Sequence, residues 1–240
     1  EAFRRHRRES RRSPDGHARP QRAGAALRSP TACSSIIRRI GHSQEIAVKR
    51  PLLVALLCGA LSLPALAALK SGDTAPDFSA QASLAGHEFT FSLKEALGKG
   101  PVVVYFYPSA YTQGCNIEAH EFSVNAEKFS IAGATIIGVS HDNIARLNDF
   151  SKDPEYCAGK FPVASDPDGK IAKSYDLKVS EGRPGMKDTR GIDIDHAFTE
   201  RTTFVIAPDG KIMATLSSAD DKISPKDHVT KSLEILAAMN

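Results

Sequence analysis

From about residue 68 onward, the sequence predicts an α/β domain with a mixed β-sheet flanked by helices. Two continuous apolar runs, PVVVYFY at 101–107 and ATIIGVS at 134–140, have the β-rich composition of strands that are covered on both faces. A segment of helical periodicity follows the first run, and a strand–turn–strand pattern with a final helix ends the chain. Alternating strands and helices indicate a mostly parallel or mixed sheet between helical layers.

The first half of this domain contains the two apolar strands and one long helix. Residues 68–80 predict an extended arm, which precedes the strand at 101–107. Residues 115–130 predict a helix, because apolar side chains recur there at spacings of four and three and form one stripe. The stripe consists of Cys115, Ala119, Phe122, Ala126 and Phe129. The strand at 134–140 follows the helix.

Shorter elements are predicted in the middle of the domain. Residues 142–159 begin as a helix, which the pair Asp153-Pro154 interrupts. The segment FPVASDPDG at 161–169 predicts a short strand and a turn, and residues 171–177 predict a short helix.

The last part of the domain predicts a loop, a hairpin and a helix. Residues 180–200 are rich in Gly and charge and predict a long loop, and residues 202–216 predict two strands around a Pro-Asp-Gly turn. Ser224 and Pro225 predict the start of a helix that runs to about Met239. The order β-α-β-α-β-α-β-β-α, with its final hairpin and helix, indicates the thioredoxin-like variety of this fold class.

A leader precedes the predicted domain. Residues 1–47 contain many Arg and few large apolar side chains, so they cannot bury enough surface to offset the entropy of ordering. This segment lacks an initiating Met, and we expect it to be disordered or translated upstream sequence, with the natural start near Val48. A basic arm that binds nucleic acid is the alternative for these residues.

Residues 48–67 have the pattern of a secretory signal peptide. Lys49 and Arg50 precede an uncharged apolar run, and Ala65-Leu66-Ala67 is a small-x-small cleavage pattern. The apolar run is short for a membrane span. We therefore expect cleavage after Ala67, a periplasmic or secreted mature protein of residues 68–240, and no membrane association after cleavage.

The charge and the cysteine content both change when the leader is set aside. The whole chain has a formal net charge of +3, whereas residues 68–240 contain 18 Lys/Arg and 24 Asp/Glu, a net charge of −6. This acidic balance gives no electrostatic reason to expect nucleic acid or an anionic membrane as a partner. Of the four cysteines, the predicted mature chain keeps Cys115 and Cys157, which can form a disulfide in an oxidising compartment.

Cys115 lies in YPSAYTQGC, where a strand gives way to a helix. With Thr112 as the predicted N-cap, the N–H groups of the first turn and the helix dipole favour a thiolate at Cys115. The Thr112 hydroxyl can accept from the thiol or donate to an incoming oxygen, and Pro108 can shield the sulfur. The alternative is an inert buried Cys at the top of the apolar stripe, and position alone does not decide between the two.

The stretch Pro108-x-x-x-Thr112-x-x-Cys115 resembles the active-site motif of the peroxiredoxins. Its context, FYP…T-x-G-C, is similar to that of the bacterioferritin comigratory protein subfamily, and the similarity extends from about Ala75, with APDF at 75–78, to the C-terminus. The resemblance implies the peroxiredoxin form of the thioredoxin-like fold, with a central mixed β-sheet flanked by helices, and a monomeric protein.

The resemblance also implies a thiol-dependent peroxidase that reduces hydrogen peroxide and organic hydroperoxides without a cofactor or metal. Cys115 would attack the O–O bond, which leaves a sulfenic acid and releases water or an alcohol. Pro108 would shield the sulfur and Thr112 would hydrogen-bond the peroxide. Arg201 matches the family's arginine before a later strand and would stabilise the thiolate, with Glu118 orienting it; the alternative for Arg201 is a surface residue at a strand end.

Cys157 is the candidate resolving cysteine that the resemblance implies. Many members of the subfamily carry a second Cys five residues after the first, where this sequence has His120, and others carry it just before a Phe-Pro strand, as Cys157 lies here. A Cys115–Cys157 disulfide would require local unwinding if the two Cα atoms lie more than about 7 Å apart. The reductant would be an exported thioredoxin-like or other dithiol protein. The alternative is a single-Cys enzyme in which Cys157 is a bystander.

Other catalytic and binding patterns are weak or missing. The sequence has no G-x-S-x-G elbow and no Gly-rich phosphate loop, and its His residues make no recognised metal spacing with the Cys residues. His196 with Asp193 and Asp195 is a weak metal candidate. Two other functions stay open: an exported thioredoxin-like thiol-disulfide oxidoreductase, whose Cys-x-x-Cys pattern Glu118 breaks, and a non-catalytic thioredoxin-like binding module.

Overall fold

The computed structural model describes residues 67–239. The predicted leader of residues 1–47 lies outside the described residues, and so does the predicted signal peptide of residues 48–67, apart from its last residue. The predicted domain of residues 68–240 is described up to residue 239.

The described residues form nine strands and six helices. The strands are β1 (Ser79–Leu84), β2 (His87–Ser92), β3 (Val102–Phe106), β4 (Thr135–Ser140), β5 (Val163–Ser165), β6 (Val179–Ser180), β7 (Phe198–Thr199), β8 (Thr202–Ile206) and β9 (Ile212–Ser217). The helices are α1 (Leu93–Leu97), α2 (Gln113–Val124), α3 (Ala126–Ile131), α4 (Ile144–Lys152), α5 (Lys170–Ser174) and α6 (Pro225–Met239).

Seven strands form one mixed sheet in the order β2-β1-β5-β4-β3-β8-β9. Strand β4 pairs in parallel with β3 on one side and with β5 on the other, while the remaining neighbours are antiparallel. Helices α2 and α3 connect β3 to β4, and α4 connects β4 to β5. The predicted α/β fold with a central mixed sheet and flanking helices is confirmed.

Strand β3 shows why its sequence is an unbroken apolar run. Side chains alternate across a strand, so Val102, Val104 and Phe106 join the hydrophobic cluster on one face of the sheet, and Val103 and Tyr105 join the cluster on the other. All five are fully or almost fully buried. A central strand covered on both faces therefore needs no polar alternation.

An N-terminal hairpin and a short helix were not predicted from the sequence. Strands β1 and β2 form the hairpin, and the end of the predicted extended arm is the start of β1. The residues between the strands, Ala85 and Gly86, both have positive φ, at 52° and 83°. Ala is an unusual residue in that conformation, and β2 is a mostly exposed edge strand, so the usual apolar and turn patterns are weak here.

The helix predicted at 115–130 is two helices, which is a correction. It begins at Gln113 and breaks at Asn125, whose backbone leaves the helical region (φ −102°, ψ 4°). The Asn125 side chain donates to the carbonyl of Glu121 at 2.9 Å, which stabilises the break. The apolar stripe nevertheless continues from α2 into α3, because Phe122 and Phe129 are both buried against the sheet.

The loop predicted at 180–200 is also more ordered than its composition indicates. Its two ends are held by the β6–β7 pair, which forms a separate two-stranded sheet.

The predicted interruption at Asp153 is confirmed, since α4 ends at Lys152, and α6 begins at Pro225. None of the helices within residues 67–239 has the length and apolar composition that a membrane-spanning helix needs.

Candidate active site

Cys115 lies in the first turn of α2, directly after the strand-to-helix junction. Thr112 is the N-cap residue, with an extended backbone (φ −96°, ψ 150°), and its carbonyl accepts from the Asn116 N–H at 2.8 Å. Cys115 is only 2% exposed and is a free thiol. The predicted position of this Cys at the start of a helix is confirmed.

The hydroxyl of Thr112 does not act as the predicted helix cap. It makes no hydrogen bond to the first turn and instead donates to the Ser109 carbonyl at 2.8 Å. Because the hydroxyl proton is used within the loop, the lone pairs of the oxygen are left to accept a hydrogen bond. The group is therefore better suited to receive a proton donor, such as the O–H of a hydroperoxide, than to donate to an incoming oxygen.

Arg201 lies beside the sulfur, as the sequence predicted. Its Nη2 atom donates to Cys115 Sγ at 3.1 Å, and its Nη1 atom forms an ion pair with Glu118 Oε2. The sheet explains this contact between residues 86 positions apart, because Thr202 of β8 pairs with Phe106 at the end of β3. Arg201 precedes β8 and thus lies next to the junction that carries Cys115.

The burial of this ion pair sets the electrostatics of the site. Glu118 is fully buried, and burial raises the pKa of its carboxyl to about 7, although the charge and hydrogen bond of Arg201 oppose the shift. Burial disfavours the charge on Arg201, but the neighbouring Glu118 and Cys115 raise its pKa above the usual value. The guanidinium is therefore a fixed positive charge next to the sulfur.

Gly114 permits the approach of Arg201, a role that the sequence analysis missed. A Cβ atom at this position would lie 3.1 Å from Arg201 Nη2 and 3.6 Å from Cγ of Pro225. Such a separation is tighter than ordinary van der Waals contact, so the guanidinium would have to shift. The only signal in the sequence is the Gly immediately before Cys115. The reason for a Gly at this position becomes clear only when the structure shows Arg201 next to it.

A groove of about 500 Å³ borders the junction. Pro108 and Thr112 line it on one side, as expected for residues that would contact a substrate. The long segment predicted as a loop provides the other side. Its lining residues are Ser180, Glu181, Arg183, Met186 and Phe198. The groove thus gives a small molecule access to Pro108 and Thr112 along a wall of both apolar and charged side chains.

Cys157 lies in the same hydrophobic cluster as Cys115 but is not bonded to it. It is fully buried, and burial raises the pKa of its thiol well above the usual value, with the charge of Asp153 adding to the shift. Cys157 is therefore a protonated thiol, shielded from solvent, in this conformation. His120 lies nearby, since its Nδ1 atom contacts the carbonyl of Glu155 at 3.0 Å.

A buried polar network around Asp142, which was not predicted from the sequence, supports the residues before the N-cap. The Asp142 carboxylate accepts hydrogen bonds from the Ala110 N–H at 2.7 Å, from the Ser109 hydroxyl at 3.0 Å and from His196 Nε2 at 2.8 Å. Burial opposes ionisation of Asp142, but the hydrogen bond and charge of His196, followed by hydrogen bonds from the Ala110 N–H and Ser140, hold its pKa below the usual value. The position of Asp142 just after a buried strand was the available signal.

The weak metal candidate at His196 is placed differently by the structure. His196 contacts Asp142, and Asp193 pairs with Lys187 at 2.6 Å. Burial opposes protonation of His196, but the hydrogen bond and charge of Asp142 raise its pKa above the usual value. Throughout residues 67–239, no three His, Cys, Asp or Glu side chains come together as a metal-binding group.

A family model and individual relatives place this chain in the same protein family. The model of the AhpC/TSA family matches residues 71–215, which is more than half of the chain. The chain is 31% identical over 172 residues to peroxiredoxin Bcp of Bacillus subtilis, and the match covers 72% of this chain and 98% of that protein.

Solved structures show the same similarity. The crystal structure of peroxidoxin BcpB from Mycobacterium tuberculosis matches with a TM-score of 0.59 and 31% identity, covering 72% of this chain and 99% of that one. The bacterioferritin comigratory protein of Xanthomonas campestris, whose structure is described together with its alkyl peroxide reduction activity, matches with a TM-score of 0.51 and 28% identity. That match covers 66% of this chain and 90% of the other.

Proposed function

Because the chain belongs to the AhpC/TSA family and is a Bcp-like peroxiredoxin, a thiol-dependent peroxidase, we propose that Cys115 is its peroxidatic cysteine. The observation that carries this proposal is the 3.1 Å contact between Arg201 Nη2 and Cys115 Sγ in the first turn of α2. A charged donor at this distance stabilises a thiolate, which is the nucleophilic form of a cysteine.

The proposed reaction is a displacement at oxygen. The Cys115 thiolate attacks one oxygen of the hydroperoxide, so that an S–O bond forms while the O–O bond breaks. The leaving oxygen takes a proton and departs as water or an alcohol, and Cys115 becomes a sulfenic acid. Arg201 would donate to the oxygens on which charge develops, Thr112 would accept from the peroxide O–H, and Pro108 would keep water from the sulfur.

Steady-state activity tests this function against the thiol-disulfide oxidoreductase. The second Cys of a Cys-x-x-Cys pattern would lie at position 118, where Glu118 instead pairs with Arg201. With dithiothreitol as reductant, we expect the wild-type protein to consume hydrogen peroxide and Cys115→Ser to have no activity. We expect no reduction of insulin disulfides. Insulin reduction without peroxide consumption would overturn the proposal.

We infer further that Cys157 resolves the sulfenic acid. Its thiol would displace the hydroxyl of the Cys115 sulfenic acid, which forms an intramolecular disulfide and releases water. The shared hydrophobic cluster supports this pairing. Cys157 is fully buried, and burial raises the pKa of its thiol, so exposure of this segment to solvent would favour the thiolate, which is the attacking form.

Disulfide mapping tests the resolving role. After treatment with one equivalent of peroxide, we expect peptide mass spectrometry to find a Cys115–Cys157 disulfide in the wild-type protein. The Cys157→Ser variant should instead accumulate Cys115 sulfenic acid, trapped with dimedone. A wild-type protein that retains a Cys115 sulfenic acid beside a free Cys157 thiol would exclude this pairing.

Peroxiredoxins take their electrons from thioredoxin-like reductants, and we propose that the reductant of this one is an exported dithiol protein. The support is the signal-peptide pattern of residues 48–67. Expressed in a Gram-negative bacterium, the protein should be recovered from the periplasm with Ala68 as its first residue and with the mass of a monomer. A product retained in the cytoplasm with residues before 68 would contradict the proposed export.

A further inference from the structure

The segment from Asp188 to His196, here called the strap, is a rigid turn within the region predicted as a loop. The Asp188 carboxylate accepts from the backbone N–H groups of Arg190 at 2.8 Å and Ile192 at 3.0 Å. The Asp188 N–H in turn donates to the Ile192 carbonyl at 2.8 Å, and Lys187 and Asp193 are bridged. These hydrogen bonds fix the shape of the turn, so its side chains can hold the residues that they contact in one position.

The strap binds Tyr111, the residue before the N-cap of α2. The backbone N–H and the hydroxyl of Thr189 both donate to the Tyr111 carbonyl at 2.9 Å. The guanidinium of Arg190 lies over the Tyr111 ring, 3.2 Å from its centroid. The backbone of Tyr111 has φ of +61°, a conformation that is costly for a bulky residue and persists only where its surroundings impose it.

The strap also holds the neighbouring backbone through buried ion pairs. Asp188 pairs with Arg146 at 2.8 Å, and the same guanidinium donates to the Ala110 carbonyl at 2.9 Å and pairs with Asp142 at 2.9 Å. His196, at the other end of the strap, contacts the same Asp142 carboxylate. The residues between Pro108 and the N-cap are therefore fixed from both ends of the strap.

The strap and Tyr111 also contact the sequence neighbours of both cysteines of the proposed disulfide. The Thr189 hydroxyl oxygen accepts from Asn116, the residue after Cys115, at 3.4 Å. The Tyr111 ring is 5.6 Å from the ring of Tyr156, which precedes Cys157. Both cysteines are buried and unbonded, and Tyr111 lies against the neighbours of both, so movement of the segment around Tyr111 would loosen the packing at both thiols.

We propose that Thr189 and Arg190 are positioning residues that hold the Tyr111 segment in the peroxide-reducing conformation, and that their release limits the rate of disulfide formation. This inference rests on the proposed roles of Cys115 and Cys157. Both act through Tyr111, and Thr189 acts also through Asn116, whereas the hydrogen bond to the sulfur of Cys115 comes from Arg201. The strap thus sets the balance between a closed form that reacts with peroxide and an open form in which the sulfenic acid meets the second thiol.

The test separates the opening of the segment from the chemistry. In Arg190→Ala, hydrogen exchange of the backbone amides in residues 109–116 should be about three- to tenfold faster, because the substitution removes the cation–π contact with Tyr111 together with the ion pair between Arg190 and Asp188. After one equivalent of peroxide, the Cys115–Cys157 disulfide should form faster by a similar factor, while oxidation of Cys115 becomes no faster. Thr189→Val, which keeps the side-chain shape but removes the hydroxyl's hydrogen bonds to Tyr111 and Asn116, should change both rates in the same direction.

Lys187→Ala is the matched control, because it removes a cation next to the strap that pairs with Asp193 of the strap and not with the Tyr111 segment. Unchanged hydrogen exchange in residues 109–116 of Arg190→Ala would overturn the inference, as would faster exchange with unchanged or slower disulfide formation. If the wild-type protein forms no such disulfide, the proposed resolving role fails. Faster exchange in Arg190→Ala but not in Lys187→Ala would then still support the positioning role, and equal exchange in both would overturn it.

Discussion

Arg201 contacts both other charged or ionisable members of the site, since its two terminal nitrogens bind Cys115 and Glu118. The contact between Arg201 and Cys115 depends on the free space beside Gly114, where a Cβ atom would lie 3.1 Å from Nη2 of Arg201. The absence of a side chain next to Cys115 therefore leaves room for the guanidinium to reach the sulfur.

A Gly114→Ala substitution should slow the oxidation of Cys115 by peroxide by about 10- to 100-fold, because small displacements of a positioned group cost that much in rate. The fold should persist, since position 114 is helical and Ala favours a helix. Stopped-flow measurement of single-turnover oxidation checks the rate, and circular dichroism checks the fold.

Gly98→Ala is the control for that substitution, because a Cβ atom there would lie at an ordinary 3.4 Å from its nearest neighbour, the Glu95 carbonyl. We expect it to react with peroxide at the wild-type rate. Wild-type oxidation by Gly114→Ala would show that the close approach of Arg201 does not matter for the reaction.

Single residues also show where sequence reasoning ends. Arg201 could be predicted, because it precedes an apolar strand that resembles the corresponding family strand. Tyr111 and Asp142 could not, since their roles depend on the strap, which is brought to them from more than 40 residues away. A positive φ at a Tyr is invisible in a sequence, whereas the same backbone angle at a Gly would have been a signal.

At the scale of elements, α6 is docked onto the sheet through a buried histidine. His228 contacts the Thr203 hydroxyl of β8 at 2.9 Å and the Ser218 hydroxyl at 2.8 Å. Burial lowers the pKa of His228 to about 4, and the positive charge of Arg201 adds to this shift, while Asp221 and Asp227 oppose it. The folded protein therefore holds the neutral imidazole.

Stability should consequently fall in acid through His228. Its folded pKa of about 4 lies below the ordinary histidine value of 6.5, so the unfolded chain binds more protons between these values. The stability from the neutral form is complete above about pH 6.5 and is lost progressively as the pH falls to about 4, by about 3 kcal/mol in total. Denaturant unfolding at a series of pH values measures this dependence.

His228→Gln should flatten that part of the pH dependence, since Gln keeps polar atoms but does not titrate. The control is His87→Gln, which changes an exposed histidine at the start of β2. An equally steep loss of stability between pH 6.5 and 4 in His228→Gln would show that other groups cause it.

The elements themselves were predictable where they are buried and periodic. Strands β3 and β4 follow their apolar runs closely, and α6 begins at the predicted Pro225. The break at Asn125 was missed because the apolar stripe runs across it without a change of spacing. The β1–β2 hairpin was missed because its turn uses Ala85 rather than a typical turn residue.

At the scale of the whole molecule, the thioredoxin-like fold brings three distant segments together at one end of β3. The first turn of α2 carries Cys115, Arg201 directly precedes β8, and the strap binds Tyr111 just before α2. The fold class could be predicted from the order of elements, and the site from its motif. The support of the site by the strap depends on tertiary contacts within a segment that sequence composition assigns to a loop.

Oxidation should therefore lower the stability of the whole protein. An ordinary structural disulfide stabilises by restricting the unfolded chain. A Cys115–Cys157 disulfide would instead require the first turn of α2 and the aromatic contacts of Tyr111 to open. We expect the oxidised protein to melt about 3 to 8 °C below the reduced one in differential scanning calorimetry. A higher melting temperature on oxidation, with Cys157→Ser unaffected, would indicate a preformed disulfide geometry.

The central claim is that Arg201 activates Cys115 for attack on a peroxide, and one rate measurement tests it most directly. The second-order rate of Cys115 oxidation should be measured by rapid mixing in the Cys157→Ser background, with the product identified by mass spectrometry. Replacement of Arg201 by Lys keeps a charge but not the planar pair of donors to Cys115 and Glu118. We predict that Arg201→Lys lowers this rate by at least about 10-fold while the product remains a sulfenic acid at Cys115. An unchanged rate would contradict the claim.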